Sequence, residues 1–150
     1  MDIRSATSGD IDALVNLMEA FYAESDMTLD RPWAAMSFAA LLSQPHLGSV
    51  WLAEVSGVPV GYAVLTVRHS MEFGGLAGTV DDLFVGPDHR RCGVGNELLA
   101  RVMDACAARG CQAVQVEVGR DNGPALALYR RLGLDSVDDE RTILCRELRG

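Results

Sequence analysis

Basic residues are scarce in this chain. Its 150 residues include 13 Lys and Arg against 21 Asp and Glu, a formal net charge of −8. That deficit argues against nucleic acid as a partner, because phosphate backbones are held by clustered basic side chains. Long apolar runs are missing too. Hydrophobic residues make up 49% of the chain, yet no stretch approaches the ~18–20 residues of a membrane span. The start, Met1-Asp2-Ile3-Arg4, lacks the basic-then-apolar order of a signal peptide. Only four cysteines occur, Cys92, Cys106, Cys111 and Cys145, with no C-x-x-C pair. They read as reduced thiols of a cytoplasmic protein. His46, His69 and His89 are scattered without ligand spacing, so no metal site is expected. Repeats, linkers and low-complexity segments are absent. What remains is one domain, of a length that buries about 68–70% of its unfolded surface. An acidic chain suits a cationic substrate, since an acidic cleft concentrates amines.

The informative stretch is residues 81–99, Asp-Asp-Leu-Phe-Val-Gly-Pro-Asp-His-Arg-Arg-Cys-Gly-Val-Gly-Asn-Glu-Leu-Leu. Val80, Leu83 and Val85 read as a strand. Leu98, Leu99, Val102, Met103 and Cys106 recur at helical spacing and predict a helix over about residues 92–109, with Gly110 as its stop. The first N–H groups of a helix lack internal partners, and the helix dipole favours negative charge beyond them. Gly93 and Gly95 leave the approach open, and Arg90 and Arg91 add positive charge. The object implied is a pyrophosphate cradle. A Walker A loop would place Lys and then Ser or Thr after the second Gly, where Asn96 and Glu97 stand. A dinucleotide fingerprint would place a small residue where Leu98 stands. Cys92, in the loop beside two arginines, is also a candidate oxidation site.

Along the rest of the chain, residues 3–6 read as a first strand, and Thr7 with Asp10 as a capping box. Ile11, Leu14, Val15, Met18, Phe21 and Tyr22 mark the buried face of a helix that ends in Glu24-Ser25-Asp26. Acids at a helix C-terminus oppose the dipole, so they face water or meet a cation. Asp30-Arg31-Pro32 starts a second helix running to about Ser43. Residues 50–55 and 60–67 form a hairpin, residues 70–75 a loop, and residues 77–85 the next strand. After the loop helix, residues 113–118 alternate as a strand, Asn122 caps another helix that ends at Gly133, and residues 142–145 make a last strand beyond Asp138-Asp139-Glu140. A further short strand near Asp135 would bring the count to seven. The order β-α-α-β-β-β-α-β-α-β gives a mixed α/β (α+β) sheet of six or seven strands. It is mostly antiparallel, with one parallel pair and helices on both faces.

Arg90-x-x-Gly93-x-Gly95 after a strand resembles the coenzyme A loop of the GNAT superfamily of N-acetyltransferases. Asn122-x-x-Ala125-x-x-x-Tyr129-x-x-x-Gly133 resembles its second signature, at the usual distance downstream. With the element order, the resemblance covers nearly the whole chain. Residues 81–85, 93–98 and 129–131 look most like the spermidine/spermine (diamine) branch, which carries Glu where Asp81 stands. By this resemblance the cofactor is acetyl-CoA or coenzyme A, and the parallel pair splays apart to admit it. The main-chain N–H groups of Arg91, Cys92, Gly93, Val94, Gly95 and Asn96, with Arg90, would hold the pyrophosphate. The strand Leu83-Phe84-Val85 would pair with the pantetheine arm through its main chain. Asn122, Ala125 and Tyr129 would flank its far side. A homodimer is likewise implied by the family.

The chemistry follows from the acceptor. A primary amine with a pKa near ~10.4 is almost wholly protonated at neutral pH and must lose a proton before it attacks. A carboxylate at the cleft can take that proton. Alternation puts Asp81 and Asp82 on opposite faces of their strand, so one alone would face the acceptor. The resemblance favours Asp81, with Glu117 and Glu72 as further candidates. Tyr129 would protonate the leaving thiolate. Glu24, Asp26 and Glu140 would hold distal ammonium groups of a small cationic, polyamine- or diamine-like acceptor. Aminoglycoside, amino-acid and protein acetylation stay open, as does a non-catalytic coenzyme A-binding module.

Overall fold

Alternation within one strand sets the architecture. Strand β2 (Gly48–Val55) sends Val50 and Leu52 to one side and Trp51 and Ala53 to the other, and all four are buried. A strand apolar on both sides must be covered on both, and it is. In the computed structural model, which describes residues 1–137 and 140–148, β2 lies inside a five-stranded sheet. The strands β1 (Asp2–Ser5), β2, β3 (Val58–Ser70), β4 (Gly75–Val85) and β5 (Ala113–Val116) run side by side in chain order. The first four are antiparallel, and β5 is parallel to β4.

Helices α1 (Ile11–Ala23) and α2 (Arg31–Leu42) cover one face. Their Leu14, Val15, Ala34 and Phe38 pack over Val50, Leu52, Tyr62, Val64 and Phe84. Helices α3 (Val94–Ala108) and α4 (Gly123–Arg131) cover the other. There Leu98, Leu99, Val102, Cys106 and Tyr129 meet Trp51, Ala63, Leu65 and Val80. The helix starts expected from sequence carry their caps. Asp10 Oδ2 accepts from Thr7 N at 2.8 Å, Asp30 Oδ1 from Trp33 N at 3.1 Å, and Asn122 Oδ1 from Ala125 N at 3.3 Å. Arg4 binds three elements together, donating to both Asp10 oxygens at 2.8 Å and to Glu54 Oε1 at 2.7 Å.

Three expectations change. The described residues form five strands, not six or seven: residues 142–145 belong to no strand, and neither does Asp135. A four-residue run gains stability as a strand only against a neighbouring edge, and this segment lies on none. Asp138 and Asp139 of the expected acidic turn fall outside the described residues. Second, β5 stops at Val116, so Glu117 and Val118 lie beyond the sheet. Third, the alternation expected at Asp81 and Asp82 is broken, with consequences for the site.

Candidate active site

Strands β4 and β5 pair over four residues only, from Ala77↔Ala113 to Val80↔Val116. Past Val80 and Val116 the pairing ends, and β4 runs on to Val85 without β5 beside it in the ladder. The cause is local. Val64 pairs with Asp82 and Leu65 with Val80, leaving Asp81 as an extra residue in β4. Such a bulge bends its strand and sharpens the twist, and this one sits at the first residue beyond the last β4–β5 pair.

The bulge also resets the side chains. Asp81 and Asp82 both line one cavity of about 390 Å³ on the α1/α2 face, with Tyr22, Trp33, Phe38 and Val64. The opposite-face expectation is therefore wrong: strict alternation holds only where every residue has a partner across the ladder. Asp82 is the better sequestered of the two, and Tyr62 Oη donates to its Oδ2 at 2.8 Å. Burial carries the Asp82 carboxyl up to about 6, the Tyr62 hydrogen bond holds it down, and the neighbouring Asp81 charge raises it again. Burial also raises Asp81. Tyr22 is raised by burial and then by Asp82 and Asp81, so it keeps its proton. Tyr62, fully buried, is raised by burial first. Two carboxylates beside aromatic walls form a site for a cation.

The loop between β4 and α3 has the shape expected of an anion cradle. Arg91 and Gly93 take left-handed conformations, with φ of 61° and 85°, of the kind that turn successive N–H groups into a concave nest. The helix ladder of α3 opens with Glu97 N donating to Gly93 O at 3.0 Å, so the N–H groups just before it lie at the open end of the helix. A side chain at Gly95 would meet Leu128 Cδ2 at 3.4 Å and Val85 Cγ2 at 3.8 Å. A methyl group would fit there in ordinary contact, whereas a larger side chain would press on β4 and α4. The open N–H groups fit a diphosphate. Val94 is buried in the core and offers its main chain alone, while the Cys92 thiol is exposed and donates to Arg90 O at 3.4 Å. Phe84 is also a core side chain, stacked on Phe21 with centroids 5.4 Å apart, so only its main chain is available to a cofactor. Tyr129 is buried among the α3/α4 core residues, and burial, then Asp82, raises its phenol. Asn122 spends its side-chain oxygen on the α4 cap, with Ala125 one turn on.

Arg90 departs from its expected place. Its Nε donates to Val85 O at 2.8 Å, its Nη2 bridges both oxygens of Glu24 at 2.6 and 2.8 Å, and its guanidinium carbon lies 5.7 Å from the Phe84 ring centroid. Glu24, expected to hold a distal ammonium, is thereby committed to Arg90, the cation that the acidic end of α1 meets. Of the other expected acceptor acids only Asp81 lines the cavity. Asp26 is exposed at a left-handed turn after α1, with φ 54°. Glu72 pairs with Arg141 at 3.3 Å. Glu117 and Glu140 are exposed. Asp82, Tyr22, Trp33 and Tyr62 were not singled out for the acceptor site by sequence. The adjacent Asp-Asp pair was the signal, once a bulge is allowed for.

The model of the acetyltransferase (GNAT) family matches residues 11–134. The chain belongs to the GNAT family of acetyltransferases. Its architecture and split strand pair are the GNAT fold, a fold of acyltransferases. An integron cassette protein from the mobile metagenome of Cole Harbour Salt Marsh superimposes with a TM-score of 0.87 at 38% identity, over 99% of this chain and 91% of that one. An uncharacterized N-acetyltransferase of Methanocaldococcus jannaschii is 29% identical over 140 residues, 91% of this chain but 61% of the relative. The chain thus spans about three-fifths of that relative's length. An aminoglycoside N-acetyltransferase solved in complex with CoA shares the fold, with a TM-score of 0.77 at 21% identity over 97% of this chain and 98% of that one. Among the described residues no helix is long and apolar enough to cross a membrane.

Proposed function

We propose that this GNAT protein transfers the acetyl group of acetyl-CoA to a primary amine of a small cationic acceptor by direct attack. The observation that carries this reading is the pair Asp81 and Asp82 on one aromatic-walled cavity, at the point where β4 leaves β5. The cofactor supplies an acetyl group activated as a thioester. The N–H groups of residues 91–96 hold its diphosphate, and the main chain of Leu83 and Val85 lines the arm's path through the gap. Val85 O already accepts from Arg90 Nε at 2.8 Å and keeps a second lone pair for the arm.

Asp82 is the base. A carboxylate near 6 is ionised at neutral pH, yet basic enough to take a proton from an ammonium held beside it. Tyr62 fixes its orientation. Asp81, the residue favoured by resemblance, holds the cation next to it. A main-chain N–H near Leu83 would offer a donor to the acyl oxygen where negative charge develops. Tyr129 gives its phenolic proton to the departing thiolate and is restored from solvent. Two acids suit a diamine or polyamine, whose second ammonium keeps its charge while the first reacts. The protein works in the cytoplasm as a homodimer, in keeping with its free thiols.

Initial rates with acetyl-CoA against a panel of diamines, polyamines, aminoglycosides, amino acids and basic peptides test the reading. Turnover confined to cationic small amines supports it. Preference for neutral or anionic acceptors contradicts it, and saturable acetyl-CoA binding without turnover supports a binding module. The basic residues are all arginine, so acetylated product cannot come from the enzyme's own lysines.

A further inference from the structure

Arg90 belongs to the loop that leads into α3, yet its side chain serves the other face of the sheet. Its guanidinium carbon sits over the Phe84 ring. That ring is part of the core under α1 and α2, whereas Val94 and Leu98 of α3 are part of the core on the opposite face. Every hydrogen bond of the guanidinium goes to β4 or to the end of α1: Nε to Val85 O, and Nη2 to both oxygens of Glu24. Beside it, Phe84 stacks on Phe21 of α1. Helix α1 has no basic residue in its last turn, and Glu24 stands at its C-cap. A carboxylate there opposes the helix dipole. Arg90 supplies the cation that the helix lacks. The closing turns of α1 also place Met18 and Tyr22 on the cavity that holds Asp81 and Asp82.

We propose that Arg90 and Glu24 are a positioning pair for the acceptor: their contact pins the end of α1 to β4 and so holds Met18 and Tyr22 in place as a wall of the amine cavity. Arg90 then works on the acceptor side, and the diphosphate is left to the main chain of residues 91–96. The kinetic part of this inference rests on the acetyl-transfer reading; the pin itself does not. Most exposed ion pairs contribute little because two long side chains must be ordered at once. Here Val85 O already holds the guanidinium at its base. The side chains of Arg90 and Glu24 are 45% and 39% exposed, so the pair biases where α1 ends rather than whether the chain folds. Its two members depend on each other. Paired, Glu24 is the attachment point of α1. Unpaired, it only repels the negative end of its own helix. Neutralising Glu24 should therefore loosen α1 when Arg90 is present and tighten it when Arg90 is gone.

The test is a double-mutant cycle of Glu24→Gln and Arg90→Gln in the full chain. Hydrogen–deuterium exchange of residues 18–24 is read first, without ligands. Each single variant should exchange about two- to fivefold faster there, the bias that a well-held exposed pair supplies. The double variant should exchange more slowly than Arg90→Gln, because no unpaired carboxylate then opposes the dipole. Acetyl-CoA affinity by calorimetry should stay within about twofold of the wild type in all three, as for groups remote from the ligand. With putrescine as acceptor, the amine KM should rise about two- to fivefold in each single variant, with a smaller change in kcat. Arg90→Lys should lie between the wild type and Arg90→Gln, since an ammonium can meet Glu24 without the fork that also reaches Val85 O. A loss of acetyl-CoA affinity beyond about fivefold in Arg90→Gln but not in Glu24→Gln, the mark of a charge-assisted contact to phosphate, overturns the proposal. Exchange or amine KM unchanged in both single variants overturns it, as do effects that add in the double variant. Protein that turns over no amine contradicts the acetyl-transfer reading, and the exchange cycle then decides the pin alone.

Discussion

Replacing Asp82 by Asn separates the proposed base from every other acid in the chain. Burial carries the Asp82 carboxyl from the ordinary 3.8 to about 6. A group near 6 is almost fully ionised at pH 7.5 and about one-tenth ionised at pH 5, whereas an ordinary aspartate would still be about nine-tenths ionised there. The rate should therefore fall about tenfold from pH 7.5 to pH 5, with a slope of one. Loss of folding does not produce this limb through Asp82. Its folded pKa lies above its unfolded one, so its contribution to stability is complete below about pH 4 and is lost as pH rises through 6, by up to about 3 kcal/mol. Asp82→Asn should lower kcat at pH 7.5 by about 10²–10³-fold, in the range of a general base, and abolish the acid limb. Tyr62→Phe removes the hydrogen bond that favours the charged form, so the limb should move to higher pH by up to about one unit. The assay is initial rate by chromatography of the acetylated amine from pH 5 to 8, with circular dichroism at each pH. A rate flat to pH 5 in folded protein, or an acid limb that survives in Asp82→Asn, refutes the assignment.

Tyr129→Phe should reduce kcat by about tenfold with little change in the KM for acetyl-CoA, since a thiol of pKa near ~8.5 leaves without obligatory help; steady-state kinetics checks it. Gly95→Val places a branched side chain where Leu128 and Val85 already stand at 3.4 and 3.8 Å from a bare Cβ. Acetyl-CoA affinity, read by calorimetry, should fall at least about tenfold, while the loss of stability stays within about 1–3 kcal/mol, the usual cost of overpacking. Asp10→Asn removes the charge that meets Arg4. Arg4 holds the Asp10 carboxyl well below its usual range, so the stabilisation is present above the ordinary carboxylate pKa and lost as pH falls. Urea unfolding should show a deficit of about 1–2 kcal/mol at pH 7 that shrinks toward pH 3.

Local chemistry explains what the sequence made legible. Helix starts at Asp30 and Asn122 were readable because one side-chain oxygen bonds an N–H three residues on. The anion loop was readable because Gly93 sits at φ 85°, a backbone conformation that other residues adopt only at a cost. Strand alternation in β2 and β3 followed from burial on both faces. The bulge at Asp81 was invisible because it depends on the register of β3 against β4, a long-range property that residues 79–84 do not encode alone. The commitment of Glu24 to Arg90 spans 66 positions, and no pattern in either segment announces it. The strand expected at residues 142–145 has the right residue types but pairs with no strand among the described residues.

The account rests on one placement: an acyl carrier gripped by the amides of residues 91–96, its thioester aimed through the gap at Asp81 and Asp82. A crystal structure with acetyl-CoA bound tests it most directly. The expected result puts the diphosphate within hydrogen-bonding distance of those amides, with β4 and β5 still parted beyond Val80 and Val116. Density for the cofactor in the groove beside β5, or β4 and β5 hydrogen-bonded along their full length, would contradict it.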